Sequence, residues 1–195
     1  MAKSITSLLV GCAIRDGYIK SVDQSISDFI PEVDFFNGEV VKIKHLLNMS
    51  SGMDWLENYK RPISVTAKAY YGTNIKNLIL NRRFIGSPGV IYKYQSGNTQ
   101  LLGVVLERAI GESVSSYAGR VLWSKIGAKN DALWTLDYNG GMEKMFCCFN
   151  SNARDFAKIG LLMLNGGVVG GDTVVPKKYI DWLTSLPKLI NGEAS

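Results

Sequence analysis

Three cysteines, one histidine and five prolines are spread over 195 residues, and each scarcity removes a class of protein. With no C-x-x-C spacing and no His/Cys cluster, Cys12, Cys147 and Cys148 make neither a metal site nor a disulfide framework. They read as small buried hydrophobes, a usage that fits a reducing compartment. No apolar run approaches the ~18–20 residues of a membrane span. Lys3 followed by Ile5 to Cys12 imitates a lipoprotein leader ending in Leu9-Val10-Gly11-Cys12, but the apolar core is too short and the pattern continues through Ala13 and Ile14 as a helix. For want of a convincing signal the chain reads as cytoplasmic, with export of a longer parent protein left open.

Charge of one sign is also not concentrated anywhere. The 22 basic and 17 acidic residues leave a net charge of +5, and the basic residues form only short clusters at Lys42/Lys44/His45, Arg82-Arg83 and Lys177-Lys178. A nucleic-acid binder gathers such residues on one face or in one motif, so no nucleic-acid partner is expected. There are no repeats or low-complexity tracts, and a hydrophobic content of 46% suffices for one ordinary core or a domain with a small lobe.

What is present reads mainly as helix. Ile5, Leu8, Leu9, Cys12 and Ala13 recur at helical spacing before Asp16-Gly17, which predicts a buried first helix. Residues 18–41 are loop-like, with a turn of helix around Ser25 to Ile30. Val40 to Asn48 gives a second helix, and the aromatic-rich stretch from Met53 to Thr73 reads as a long lid-like excursion. A short helix over Asn74 to Asn81 is followed by the turn Ser87-Pro88-Gly89 and an extended run to Tyr94. Helices are predicted over Ser96 to Ile110 and, capped by Ser113, to Ile126. Leu133 to Asp137 and Met145 to Phe149 form a hairpin around Asn139-Gly140-Gly141. A helix capped at Ser151-Asn152 runs to Leu164, and Pro176 opens a last one to about Leu186.

Chemistry concentrates at two places. Met1-Ala2-Lys3 reads as the tail of a Ser-x-x-Lys motif whose serine falls one position before Met1, so that hydroxyl and amine share one face of the first helix. A lysine partly desolvated there accepts the hydroxyl proton or orients another base. The second place is Tyr94-Gln95-Ser96, inside a turn. His45 lacks the partners of a Ser-His-Asp triad and reads as structural. Ser185-Leu186-Pro187-Lys188 also spells Ser-x-x-Lys, but Pro187 breaks the turn that would align the pair.

The run from Ser87 through Tyr94-Gln95-Ser96-Gly97-Asn98 to Gly103 makes a long match. On it the chain resembles the β-lactamase-related serine hydrolases, nearest to the 6-aminohexanoate-dimer hydrolase type with its Tyr-x-Ser-x-Asn form. His45 to Gly52, Gly141-Met142-Glu143, Phe146 to Asn150 and Ala153 to Ala157 agree with that type. The resemblance implies an α+β, mostly helical fragment of the β-lactamase/DD-peptidase (serine penicillin-recognising) fold, lacking part of the antiparallel sheet. Residues 1–195 would be one partial domain, truncated at both ends.

By the same resemblance Lys3 is the motif lysine and Tyr94 the proton-shuttling phenol. Ser96 keeps the Lys-Tyr network hydrogen-bonded, Asn98 braces the turn, and Tyr59 contacts substrate from the excursion. The implied activity of the complete form is hydrolysis of small-molecule amide or ester bonds through an acyl-serine intermediate, with no cofactor and no metal. This chain, without nucleophile and without the late Lys/His-x-Gly strand, is expected to be inert. The alternative is a noncatalytic binding or regulatory remnant. Loss of the sheet is also expected to bare an apolar face of the first helix, which would drive self-association.

Overall fold

The computed structural model describes residues 1–185. Its first helix, α1 (Ala2–Arg15), forms where the apolar spacing predicts. Gly17, at φ 80°, supplies the left-handed residue that ends it, and the Tyr18 N–H closes on the Ala13 carbonyl at 2.9 Å. Helix α2 (Ile43–Leu47) is shorter than expected. Two helices, α3 (Val65–Tyr71) and α4 (Ile75–Leu80), precede the central α5 (Ser96–Ile110), which stops at Gly111 in the left-handed conformation.

Ser113 caps α6 (Val114–Ala118) by accepting from the Ser116 N–H, and a π-helical segment, Gly119–Trp123, carries on from it. Strands β1 (Leu133–Trp134) and β2 (Phe149–Asn150) pair antiparallel, with Leu133 opposite Asn150. Helix α7 (Ala153–Leu164) is capped by Asn152. A second small hairpin joins β3 (Val168–Val169) to β4 (Asp172–Thr173), and α8 (Lys177–Leu183) follows with Pro176 at its N-cap. The expected continuation to Leu186 and the Leu186-Pro187-Lys188 stretch lie outside the described residues. The described residues are thus mostly helical, with two small sheets.

The core forms around α1 and α5. Ile5, Leu8, Leu9, Val10, Cys12 and Ala13 are all fully buried, and each large aliphatic among them contributes on the order of 2 kcal/mol. This corrects the expectation of a bare apolar face. Besides α5, α8 and the segment just before it also cover the helix, so near that a Cβ on Gly11 would stand 2.6 Å from both Tyr179 and Val175. Tyr179 fixes that contact by donating its hydroxyl to the Ser7 carbonyl at 2.7 Å.

Three other expectations change. The excursion after Met53 contains α3, because Ser64 accepts from the Ala67 N–H and caps a helix that its aromatic content obscured. The hairpin strands shorten to two residues each. Cys147 and Cys148, read as packed thiols, are joined in a disulfide between neighbouring residues, whereas Cys12 stays free and buried. No helix among the described residues is long and apolar enough to cross a membrane.

Candidate active site

The start of α1 brings Lys3 to the carbonyl of Phe146, to which its Nζ donates at 2.9 Å. The ammonium lies 5.0 Å from the centroid of the Tyr94 ring and 5.9 Å from that of Phe146, positions from which both ring faces attract it. Thr6, one turn on, seats the helix by donating to the Met145 carbonyl at 3.1 Å. Met1, Ala2, Lys3, Ser4, Tyr94 and Phe146 to Phe149 enclose a cleft of about 350 Å³. Lys3 and Ser4 also border a second, mainly apolar cavity of about 270 Å³ reaching Leu46, Met49 and Leu102.

Tyr94 is held from both sides. Before it, the Lys93 N–H donates to the Met49 carbonyl at 2.8 Å and the Gly89 N–H to that of Ser50 at 2.7 Å. After it, polar side chains at the head of α5 clamp the segment from Ser51 to Glu57. Gln95 Nε2 donates to the carbonyls of Met53 and Trp55 at 3.0 and 2.6 Å. Asn98 Oδ1 accepts from Ser51 Oγ at 2.5 Å. Gly97 leaves room for the Trp55 ring, which would lie 2.6 Å from a Cβ there. Tyr94 itself remains about half exposed (49%) on the cleft.

Ser96 does not reach Lys3 or Tyr94 in a hydrogen bond. It is fully buried and gives its hydroxyl and its N–H to the two carboxylate oxygens of Glu57, at 2.7 and 2.8 Å. The same carboxylate accepts the Trp55 indole N–H at 2.8 Å and the Tyr59 hydroxyl at 2.5 Å. Burial opposes the charge on Glu57. The hydrogen bonds from Tyr59, Ser96 and Trp55 outweigh it and hold the carboxyl below its ordinary value of 4.5. Partial burial and the neighbouring Glu57 carboxylate both push the Tyr59 phenol up.

Tyr59 is exposed and does not line the cleft around Lys3. Its ring stands 6.0 Å from that of Tyr70, which packs edge-on at 5.0 Å against Phe146 in the cleft wall. The structure therefore brings Lys3 and Tyr94 together, and puts Ser96 and Tyr59 on a common carboxylate beside them. Glu57 escaped the sequence reading. Its one signal was the alternation Trp55-x-Glu57-x-Tyr59 within a segment otherwise without period.

Glu57→Gln tests that hub. The amide keeps the shape but aims donors at groups that need acceptors, so a loss of about 2 kcal/mol is expected, read as a melting temperature lower by roughly 4–8 °C. A carboxyl with depressed folded pKa stabilises above its unfolded value and loses that contribution as pH falls through the folded one. The difference between the parent chain and Glu57→Gln should accordingly shrink below about pH 4.5. Equal melting temperatures at pH 7 would remove Glu57 from the site.

The family model described as Beta-lactamase matches residues 1–139. The curated 6-aminohexanoate-dimer hydrolase of Paenarthrobacter ureafaciens is 28% identical over 206 residues, covering 93% of this chain and 48% of that protein. A Bacillus anthracis structure, named provisionally as a 6-aminohexanoate-dimer hydrolase, superposes with a TM-score of 0.79 at 21% identity over 92% of this chain and 50% of that one. A Yersinia pestis β-lactamase/D-alanine carboxypeptidase gives 0.69 at 16% identity over 99% and 60%. The fold is therefore that of β-lactamases and penicillin-binding proteins, and the chain spans about half the length of the curated relative it matches.

Proposed function

We propose that this chain, which belongs to the Beta-lactamase family, carries the lysine and tyrosine of a serine hydrolase that cleaves amide or ester bonds through an acyl-serine intermediate. One observation carries the reading: Lys3 and Tyr94, far apart in sequence, border the same cleft with the ammonium 5.0 Å from the phenol ring. A serine at the position before Met1 would stand one helical turn before Lys3, on the face that looks into this cleft.

In that arrangement Lys3 Nζ takes the proton from the serine hydroxyl while the oxygen attacks the substrate carbonyl. The Tyr94 hydroxyl passes a proton to the departing amine or alcohol as the carbon–heteroatom bond breaks. Water then enters, loses its proton by the reverse route and releases the acid. Ser96 and Glu57 act behind Tyr94, holding the turn that aims it. The 6-aminohexanoate-dimer hydrolase name of the Paenarthrobacter relative supports a small linear amide as first substrate to try.

The test compares hydrolysis of a p-nitrophenyl ester and of a linear 6-aminohexanoate dimer by this chain and by one lengthened with its own flanking coding sequence at both ends. The short chain should stay at background and the longer one exceed it by orders of magnitude, up to about 10⁶. Equal, substantial rates would overturn the assignment of the nucleophile, as would the lack of a serine codon directly upstream of Met1. A longer chain that melts cooperatively but hydrolyses nothing would replace the enzyme reading by a noncatalytic binding module.

A further inference from the structure

We propose that Cys147 and Cys148 form a thiol–disulfide exchange site, open to an external dithiol, whose redox state sets how firmly the cleft wall holds Lys3. The pair lines the cleft that Lys3 and Tyr94 share. Both cysteines are partly exposed, whereas Cys12 is fully buried and donates its thiol to the Val174 carbonyl at 3.5 Å. A reagent entering the cleft therefore meets the paired sulfurs and not the free one.

The segment holding the pair is fastened to both of its neighbours. Toward β1, the Trp134 indole N–H donates to the Cys147 carbonyl at 3.1 Å and the Thr135 N–H to that of Cys148 at 3.1 Å. Toward α1, the carbonyls of Met145 and Phe146 accept from Thr6 and Lys3. The carbonyl that grips Lys3 thus belongs to the residue directly before the disulfide. Cys148 has φ 65°, a left-handed conformation that few residues other than glycine adopt. The covalent ring, which includes the peptide bond between the two cysteines, removes the freedom to leave it.

In the exchange, one thiolate of the dithiol attacks a sulfur of the pair, the Cys147–Cys148 bond breaks and a mixed disulfide forms. The second thiolate of the reagent then displaces the protein sulfur and leaves as a disulfide. Two electrons and two protons pass to the protein, which ends with thiols at Cys147 and Cys148. With the ring opened, Cys148 relaxes toward negative φ, the chain around it repacks, and the Phe146 carbonyl loses its fixed aim at Lys3. The exchange stands on this geometry alone, while its bearing on catalysis rests on the role proposed for Lys3.

The experiment treats the native chain with dithiothreitol and follows thiols by titration, mass by spectrometry and Lys3 acylation by an N-hydroxysuccinimide ester. Two thiols should become titratable, with Cys12 silent, and the mass should rise by about 2 Da. Lys3 should acylate about fivefold faster, the scale of one charge-assisted hydrogen bond weakened. Cys147→Ser/Cys148→Ser should acylate at the fast rate and ignore the reductant; should it fail to fold, the native chain before and after reduction decides. Absence of new thiols, or an unchanged Lys3 rate once they appear, overturns the proposal. A reduced C-x-x-C protein in place of dithiothreitol identifies the reagent: cleavage assigns protein dithiols, and refusal assigns small ones. None of these readouts depends on ester hydrolysis, so failure of the hydrolase reading leaves them standing.

Discussion

In a chain lengthened so that a serine directly precedes Met1, the role proposed for Lys3 predicts that Lys3→Ala lowers ester turnover by about a thousandfold, within the 10²–10⁴ range of a positioned proton acceptor. The structure separates this effect from unfolding. Among the described residues the Lys3 side chain makes one hydrogen bond, to the Phe146 carbonyl, while α1 is held by its buried apolar residues and by Thr6. The melting temperature should therefore fall by only a few degrees, on the scale of one hydrogen bond. Under the proposed mechanism, in which serine and lysine act as a unit, combining Lys3→Ala with loss of the serine should cost little more than losing the serine alone. Turnover within tenfold of the parent would remove Lys3 from the chemistry, whatever its place in the cleft.

Gly52→Ala is expected to be the most destabilising single methyl in the region that aims Tyr94, at about 3–4 kcal/mol. Gly52 has φ 75°, and a Cβ there would lie 2.0 Å from the Gly86 carbonyl oxygen. The left-handed conformation accounts for about 1 kcal/mol, and displacing a neighbouring backbone for most of the rest. That neighbour cannot move freely. The Gly52 carbonyl accepts from the Ile85 N–H at 2.8 Å, the Asp54 N–H donates to Arg83 at 2.8 Å, and the Ser50 and Met49 carbonyls take the N–H groups of Gly89 and Lys93. Gly17→Ala is the control, since φ is 80° but none of the described residues lies within 4 Å of the added carbon. Thermal melts should put Gly52→Ala roughly 4–10 °C below Gly17→Ala; coincident melts would show that the two segments separate easily.

Apolar spacing and end signals made the long helices readable: α7 is buried on one side only, whereas α5, buried all round from Ser96 to Leu106, was legible from its apolar run and the Gly111 stop. Ser96 to Ile110 coincides with α5, and α7 ends at Leu164 as Asn165-Gly166-Gly167 suggests. The hairpin around Asn139-Gly140-Gly141 was legible as a turn, but its strands shrink because the chain leaves the ladder so that Gln100 can donate to the Glu143 carbonyl at 3.0 Å and accept from the Met145 N–H at 2.9 Å. Side-chain hydrogen bonds of that kind carry no sequence period. The same holds at the site. Lys3 and Tyr94 belong to recognisable motifs, whereas Glu57 works through four donors brought to it by folding. The Cys147–Cys148 bond was invisible to spacing rules because frameworks are read from separated cysteines.

The bonds that seat α1 connect very distant parts of the chain: Lys3 reaches Phe146 across 143 positions, Thr6 reaches Met145 across 139, and Tyr179 reaches back to Ser7 across 172. On a ribosome adding roughly 5–20 residues per second, the first helix must wait on the order of ten seconds before its partners emerge. Over that interval only α5, which emerges earlier, can cover part of its greasy side, so this protein should call on holding chaperones early in translation, and a stalled nascent chain cut short before Met145 should be unusually sticky.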